Sequence, residues 1–457
     1  MSEFVDRNIK NCQYIASAVA REGGRAYYVG GCVRDFLLGK NPKDTDIEIY
    51  GLSADKIEAI LRKKFRVEIV GKSFGVWILK GCDIDVSMPR RERKCGSGHK
   101  AFEIEGDPSM TPQEACARRD FTINAILRDI LTGEIIDPYS GKSDLQKKIL
   151  RHTSERFSED PLRVLRAMQF SARFDFEVAP ETVELCSNIP FENLPCERVF
   201  EEWKKMLLKG TRISRGLMFL RNCGWIKYFP ELQACVGCPQ DPEWHPEGDV
   251  FVHTTYCLDA FAMERIGDER EDLIVGLAVL CHDFGKPLCT VKDADGRIRS
   301  RGHDVLGRKP TENFLMRLTR EKSLIAEVIP LVERHMAILD LWRNQCGDSA
   351  IRRLAGKVGR IDRLVRIDSA DRAGRPPVVP EPSPQGEWIL ERARALQVQD
   401  SAPKPFVMGR HLIAMGLTPS KEFSEILEQI YEAQLDGTFD NLEDALAYTQ
   451  NLLEKAK

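Results

Sequence analysis

Tyr28-Val29-Gly30-Gly31-Cys32-Val33-Arg34-Asp35 and, a short step later, Asp44-Thr45-Asp46 are the residues of this chain best suited to chemistry. Adjacent glycines let a backbone come close to phosphates, because no Cβ intervenes. Aspartates one residue apart share a face of a strand, since side chains repeat every second position. Two carboxylates side by side repel unless a cation sits between them, and Mg²⁺ with substrate phosphates is the usual occupant. Alone, either motif is a common surface turn. Here the pair runs into the alternation Ile47, Glu48, Ile49, which predicts a strand over residues 44–50. Residues 74–79 and 82–88 read as two neighbouring strands, the second turning Asp83 and Asp85 to one face. Asp85 is the expected third acid, able to help hold a metal or to accept the proton of an attacking hydroxyl. The chemistry indicated is phosphoryl or nucleotidyl transfer, with Asp44, Asp46 and Asp85 as its catalytic set.

These residues need a scaffold, and the chain is long enough to build several. Its 457 residues exceed one domain and fit about three or four. A hydrophobic content of 42% fills buried cores, and no run reaches transmembrane length. Residues 1–7 lack the apolar core of a signal peptide, so a cytoplasmic location is expected. The 14 cysteines are mostly scattered singly and read as reduced thiols; the lone Cys-x-x-Cys at Cys235 and Cys238 makes a poor zinc site. A net charge of -3 does not advertise nucleic-acid binding, although a basic stripe can sit inside a balanced total.

Organisation reads in four parts: 1–150, 151–224, 225–375 and 376–457. The first alternates short β-type runs with helical stretches such as 54–64. Helical periodicity then covers 160–174, 182–188, 197–209 and 214–223. The third part holds most of the histidines, the proline-rich stretch 374–386 reads as a linker, and 423–433 and 442–454 look amphipathic. The fold class is α+β: a head with a mixed β-sheet, followed by all-helical parts.

Further motifs stand in a telling order: Arg118-Arg119-Asp120-Phe121-Thr122-Ile123-Asn124-Ala125, then Asp137-Pro138-Tyr139-Ser140-Gly141-Lys142-Ser143-Asp144-Leu145, then Glu159-Asp160-Pro161-Leu162-Arg163-Val164-Leu165-Arg166. With the opening motif, and with Arg91-Glu92-Arg93-Lys94, Gly96-Ser97-Gly98 and Glu243-Trp244-His245-Pro246-Glu247, this order resembles bacterial CCA-adding enzymes. Those are tRNA nucleotidyltransferases of the class shared with bacterial poly(A) polymerases, and the likeness is closest to members carrying an HD phosphohydrolase domain. It spans about residues 26–375.

The resemblance implies a nucleotidyltransferase head, a helical neck and body that binds RNA, an HD domain and a tail. It implies tRNA, CTP and ATP as partners and no membrane. Asp44 and Asp46 match the family's Mg²⁺ pair, Gly30, Gly31 and Arg34 its nucleotide contacts, and Arg119 its second-motif arginine, whose planar fork suits a triphosphate. Asp120 is expected at the ribose. Asp160 and Arg163, three apart and expected to share a helix face, match the pair that reads the incoming base. Cytosine and adenine both place an amine donor beside a ring-nitrogen acceptor, which an aspartate and an arginine complement; uracil and guanine present the reverse order. Mispairing both groups in a buried site costs several kcal/mol in rough terms. Arg166 extends the nucleotide-binding set, and Gln169 stands where relatives commonly have another arginine. Lys204, Lys205, Lys209, Arg212, Arg215 and Arg221 are expected to form a phosphate track.

His253, Cys281-His282-Asp283-Phe284-Gly285-Lys286, His303, His335 and Asp371 resemble an HD metal site. His253, His282, Asp283 and Asp371 are the expected ligands, with His303 and His335 as further ligands or supporting groups. A transition metal or Mg²⁺ there (Ni²⁺, Mn²⁺ or Mg²⁺) activates water for phosphate-ester hydrolysis. Within transfer, CC-only, A-only and poly(A) synthesis remain alternatives, and the stretch 90–113, expected as a loop, is the region relatives use when switching from C to A. A hydrolase with a vestigial, RNA-binding head is the alternative of a different class. The stretch 406–419 resembles a tRNA-elbow contact.

Overall fold

The computed structural model describes residues 2–42, 44–69, 75–94, 102–376, 380–381 and 383–455. It divides into two compact units, Met1–Trp203 with Arg215–Trp225, and Lys204–Ser214 with Ile226–Lys457. Gly96-Ser97-Gly98, Phe74 and parts of the expected linker lie outside the described residues.

The first unit is organised by strands β1 (Arg25–Val29), β2 (Thr45–Tyr50), β3 (Val67–Ile69), β4 (Val76–Leu79) and β5 (Ile84–Ser87). The pair β6 (Arg90–Lys94) and β7 (Phe102–Gly106) follows, then β8 (Leu127–Asp129) and β9 (Ile135–Ile136). Seven of these make one sheet in the order β3-β4-β5-β2-β1-β8-β9. The sheet is mixed: β2 and β5 run parallel, and its other pairings are antiparallel. Period-two alternation sorts its faces. Ile47 and Ile49 of β2, Trp77 and Leu79 of β4, and Ile84 and Val86 of β5 are buried together. They pack on Cys12, Ile15, Ala16 and Val19 of the helix Ser2–Arg21 and on Ile57, Ile60 and Leu61 of the helix Ala54–Arg62. Each large side chain buried there contributes about 1.5–3 kcal/mol. The residues between them, Asp46, Glu48 and Asp85, point the other way.

Three expectations need correction. The stretch 90–113 is not simply a loop, because β6 and β7 pair antiparallel with Arg90 opposite Gly106. The helix expected from residue 160 begins at Leu162; Asp160 is extended, at the end of the short 3-10 turn Glu155–Glu159. Pro161 sets that boundary, since the residue before a proline is driven out of the helical region. Asp44 and Asp83 likewise stand just outside β2 and β5.

The second unit is helical. The helix Glu269–Cys281 is buried along the whole stretch from Asp272 to Cys281, as expected of a central helix surrounded by others. Asp268 caps it by accepting the Arg270 and Glu271 backbone N–H groups at 2.9 and 3.1 Å. Around it stand the helices Val250–Met263, Lys322–Glu333 and Ile361–Ala373. The tail has its own small core, with Val407, Leu412, Phe423, Ile430 and Phe439 gathered by the helices Lys421–Leu435 and Leu442–Lys455. Every described cysteine is free, and no described helix is long and apolar enough to cross a membrane.

Candidate active sites

The parallel ladder of β2 and β5 places Asp46 directly opposite Asp85. Both carboxylates stand on the face away from the core, and Asp44 joins them from the residue before β2, where the Thr45 N–H donates to the Asp83 carbonyl at 2.9 Å. Desolvation, then the charge of Asp85, pushes the Asp46 carboxyl above its usual range; desolvation and Asp44 push Asp85 the same way. Burial is the larger cause for both carboxyls, and at Asp46 the Arg119 charge works in the opposite direction. All-oxygen donors of this kind suit a hard divalent cation such as Mg²⁺. The described groups whose ligand atoms gather within 4.8 Å of one another are the histidine clusters below, so Asp44, Asp46 and Asp85 would have to draw closer around an ion.

Gly30 adopts φ 68° at the start of the helix Gly31–Leu37. A Cβ there would lie 3.0 Å from Arg119 Nη1 and 3.8 Å from Asp46 Oδ2, so only glycine lets this turn, Arg119 and Asp46 meet. Arg119 Nη2 is 3.6 Å from Glu48 Oε2, and Glu48 accepts the Tyr50 hydroxyl at 2.6 Å. Arg34 is buried instead of projecting into the site. It donates to Asn124 Oδ1 at 2.7 Å and Asp35 Oδ1 at 2.8 Å, with Phe174 4.6 Å beneath its guanidinium.

Asp120 is also buried. Its Oδ1 accepts the Phe121 N–H at 2.8 Å and the Asn124 amide at 2.9 Å; its Oδ2 accepts Arg166 Nε at 2.8 Å. Burial pushes this carboxyl up, yet the Arg166 charge and the Asn124 hydrogen bond hold it below the ordinary range. Asp120 and Arg166 thus form an internal brace. Arg163 donates to the carbonyls of Arg156 and Arg118 at 2.6 Å each, and Asp160 Oδ2 accepts Arg198 at 2.9 Å. Buried Gln169 leaves its Oε1 without a hydrogen-bond partner among the described residues. Of the expected basic track, Arg215 pairs with Asp175 and Arg212 lies 3.9 Å from Asp259. Sequence reasoning missed Glu48, Asn124 and Arg198, the partners that hold these groups. Glu48 had a readable signal, being two residues beyond Asp46 on the same strand face.

In the second unit, four imidazoles converge through one device. His282, His303 and His335 set Nδ1 against the carbonyls of Val279, Ser300 and Val332 at 2.7, 2.8 and 2.8 Å. His253 sets Nδ1 2.7 Å from Glu247 Oε1, which His245 also approaches at 2.9 Å. Each Nε2 is thereby turned inward, where it can serve as a ligand once it carries no proton. His253 Nε2 lies 2.9 Å from Asp371 Oδ1, and His282 Nε2 lies 3.2 Å from Asp283 Oδ2. His303 Nε2 lies 3.4 Å from Asp283 Oδ1 and 3.1 Å from His335 Nε2. Burial, with His303 and His282 beside it, pushes His335 down to about 4, so it is neutral at pH 7. Apart from these close contacts within the cluster, His282 Nε2 and Asp283 Oδ1 make no directed hydrogen bond among the described residues. Buried nitrogen and carboxylate donors facing one another in this way fit a divalent metal.

Asp283, His303, His335 and Asp371 open onto a cavity of about 420 Å³, shared with Lys286, Arg372 and Trp244. Lys286 Nζ is 2.7 Å from both Asp283 Oδ2 and Gln240 Oε1. The structure therefore brings His253, His282, Asp283, Asp371, His303 and His335 together. Gln240 and Cys257 belong to the same cluster and were not singled out by the sequence; Glu247 belongs to it too and closes the stretch Glu243-Trp244-His245-Pro246-Glu247.

Residues 26–151 match the family described as the poly A polymerase head domain, and residues 175–235 match a probable RNA and SrmB-binding site of polymerase A. The chain resembles the crystal structure of the Bacillus stearothermophilus CCA-adding enzyme in complex with CTP, at TM-score 0.67 and 23% identity over 97% of this chain and 96% of that one. It also resembles the Thermotoga maritima CCA-adding enzyme complexed with tRNA, at TM-score 0.58 and 20% identity over 99% and 98% of the two chains. These likenesses establish the fold class: a poly(A) polymerase-type nucleotidyltransferase head in a chain built like CCA-adding enzymes. In sequence, the multifunctional CCA protein of Acinetobacter baumannii is 35% identical over 395 residues, 82% of this chain and 91% of that protein. That of Stenotrophomonas maltophilia is 36% identical over 394 residues, 82% of this chain and 92% of that protein. The chain belongs to the multifunctional CCA protein family.

Proposed function

We propose that this chain is a tRNA nucleotidyltransferase that adds C, C and A to an RNA 3′ end from CTP and ATP, releasing pyrophosphate. The observation that carries the reading is Asp46 held opposite Asp85 beside the Gly30 turn and Arg119. Asp44, Asp46 and Asp85 would hold a divalent cation of the Mg²⁺ kind, which when bound lowers the pKa of the attacking hydroxyl and neutralises charge on the leaving group. Arg119, kept in place by Glu48, orients the triphosphate through its forked donors. The backbone at Gly30 and Gly31 lies against the phosphates, and Arg34 supports that turn from below. Asp120 and Arg166 brace Arg119 from the neighbouring position in sequence. Asp160 and Arg163, their backbones tied by an N–H to carbonyl bond of 3.0 Å, select an amine donor beside a ring-nitrogen acceptor, hence C or A. In this reading residues 1–150 are the catalytic head, 151–224 the neck and body that meet RNA, 225–375 the HD domain and 376–457 the linker and tail.

The histidine cluster favours a second activity, metal-dependent phosphoester hydrolysis. His253, His282, Asp283 and Asp371 would hold a divalent metal, which supplies a hydroxide-like water at neutral pH. Lys286 stands at the cavity wall, where its ammonium offsets charge on a phosphate ester.

The test uses tRNA transcripts ending before CCA, after CC and after CCA, incubated with Mg²⁺ and CTP, ATP or both, and read on a gel. Stepwise completion to CCA is expected. No extension with any combination refutes the transfer reading; growth far beyond three nucleotides favours poly(A) synthesis, and stopping at CC or adding only A favours partial addition. Asp46→Ala abolishes extension, whereas His282→Ala abolishes phosphate release and leaves extension running.

A further inference from the structure

Cys257 stands one helical turn beyond His253 on the helix Val250–Met263, so both side chains share a face. Its Sγ lies 3.3 Å from His253 Nε2, the atom that also meets Asp371 Oδ1 at 2.9 Å. His253, Cys257, His282 and Asp371 each bring a ligand atom within 4.8 Å of the others. The His282 Nε2 in that group is buried and faces carboxylates, 3.2 Å from Asp283 Oδ2 and 3.9 Å from Asp371 Oδ1. The backbone makes room for the sulfur: a Cβ at Gly374 would come 2.3 Å from Sγ and 2.9 Å from the His253 ring.

Resting on the metal-centre reading of this cluster, we propose that Cys257 is a thiolate ligand there, beside His253, His282 and Asp371. Coordination exchanges the S–H proton, released to solvent, for a metal–sulfur bond. The carboxylate behind His253 is consistent with this, because Glu247 holds Nδ1 and leaves Nε2 for the metal. A site with one thiolate and two imidazoles selects a borderline-soft ion of the zinc and cobalt kind over Mg²⁺. The two imidazoles already favour such an ion without the sulfur, so the metal–sulfur bond itself has to be read directly.

The test takes the full chain, strips it with a chelator and reloads it with Co²⁺ or Zn²⁺. The Co²⁺ form is expected to show a near-ultraviolet sulfur-to-metal charge-transfer band, and the zinc absorption edge one sulfur scatterer at about 2.3 Å. In Cys257→Ser the band disappears while cobalt still binds, at least roughly tenfold more weakly. The wild-type zinc spectrum needs no variant, so misfolding of Cys257→Ser cannot hide the answer. A shell of nitrogen and oxygen only, or a band that persists in Cys257→Ser, overturns the thiolate assignment and leaves the centre standing. Failure of wild type to bind either metal, with His282→Ala indistinguishable from it, overturns the centre and the thiolate together.

Discussion

Replacing Arg166 by methionine separates an architectural brace from a nucleotide contact. Asp120 is only 8% exposed, and the guanidinium of Arg166 supplies its countercharge through bonds of 2.8 and 2.6 Å. Removing one partner of a buried ion pair typically costs about 3–5 kcal/mol. The Arg166 side chain is 32% exposed, so water reaches the gap and the expected loss falls to about 2 kcal/mol. For a domain of roughly 150–250 residues that corresponds to a drop of about 4–8 °C in melting temperature. Adding Asp120→Asn removes the stranded charge and should recover about 1 kcal/mol. The pH dependence has a definite sign. In the wild type the folded Asp120 carboxyl lies below its unfolded value, so its contribution is full above about pH 4 and fades only in stronger acid. In Arg166→Met burial acts without that countercharge and raises the carboxyl, so the gap between variant and wild type narrows as pH falls from 7 to 4.5. Urea unfolding followed by circular dichroism at both pH values measures it. A variant within about 0.5 kcal/mol of wild type at pH 7, or a gap unchanged by pH, refutes the brace.

Asp85→Asn should lower extension by roughly three orders of magnitude, a barrier increase of about 4 kcal/mol, while raising the head's melting temperature because it relieves repulsion across β2 and β5; a simultaneous loss of stability contradicts this. Gly30→Ala should cost about 1–3 kcal/mol, because its φ of 68° with ψ of -134° lies outside the regions open to alanine, and should raise the KM for CTP and ATP through displacement of Arg119; steady-state kinetics with an unchanged KM argue against that coupling. Trp225→Phe should cost about 1–3 kcal/mol, because the indole N–H donates to the carbonyls of Cys186 and Ile189 at 3.1 and 2.9 Å; denaturant titration checks it.

Strand β2 was legible because alternation and chemistry coincide there: Ile47 and Ile49 go inward and Asp46 and Glu48 outward. The histidine cluster was legible from composition, since structural histidines do not gather in one segment by chance. The helix Ser2–Arg21 is marked by the three-to-four spacing of Cys12, Ile15, Ala16 and Val19, which carries packing and no chemistry. The pairing of β6 with β7 left almost none, because Arg90-Arg91-Glu92-Arg93-Lys94 has no apolar alternation and its strand state comes from its partner. Partners distant in sequence were the least visible. Nothing local announces that Asn124 holds both Arg34 and Asp120, or that Arg198 meets Asp160. The inward start of the helix at Leu162 was available from Pro161.

The register of β2 against β5 reaches beyond catalysis, into how the sheet is assembled. Between Asp46 and Asp85 the chain builds a helix and the β3–β4 pair, so this ladder closes a long loop before its contacts form. Such late, parallel pairings are where strands slip. A slip of one residue in either strand would turn that strand's aspartate into the apolar layer of Ile47, Trp77 and Val86. An unpaired carboxylate there is strongly disfavoured, so the burial pattern specifies a single register. The two charges proposed to serve nucleotidyl transfer also fix the register of the sheet that carries them.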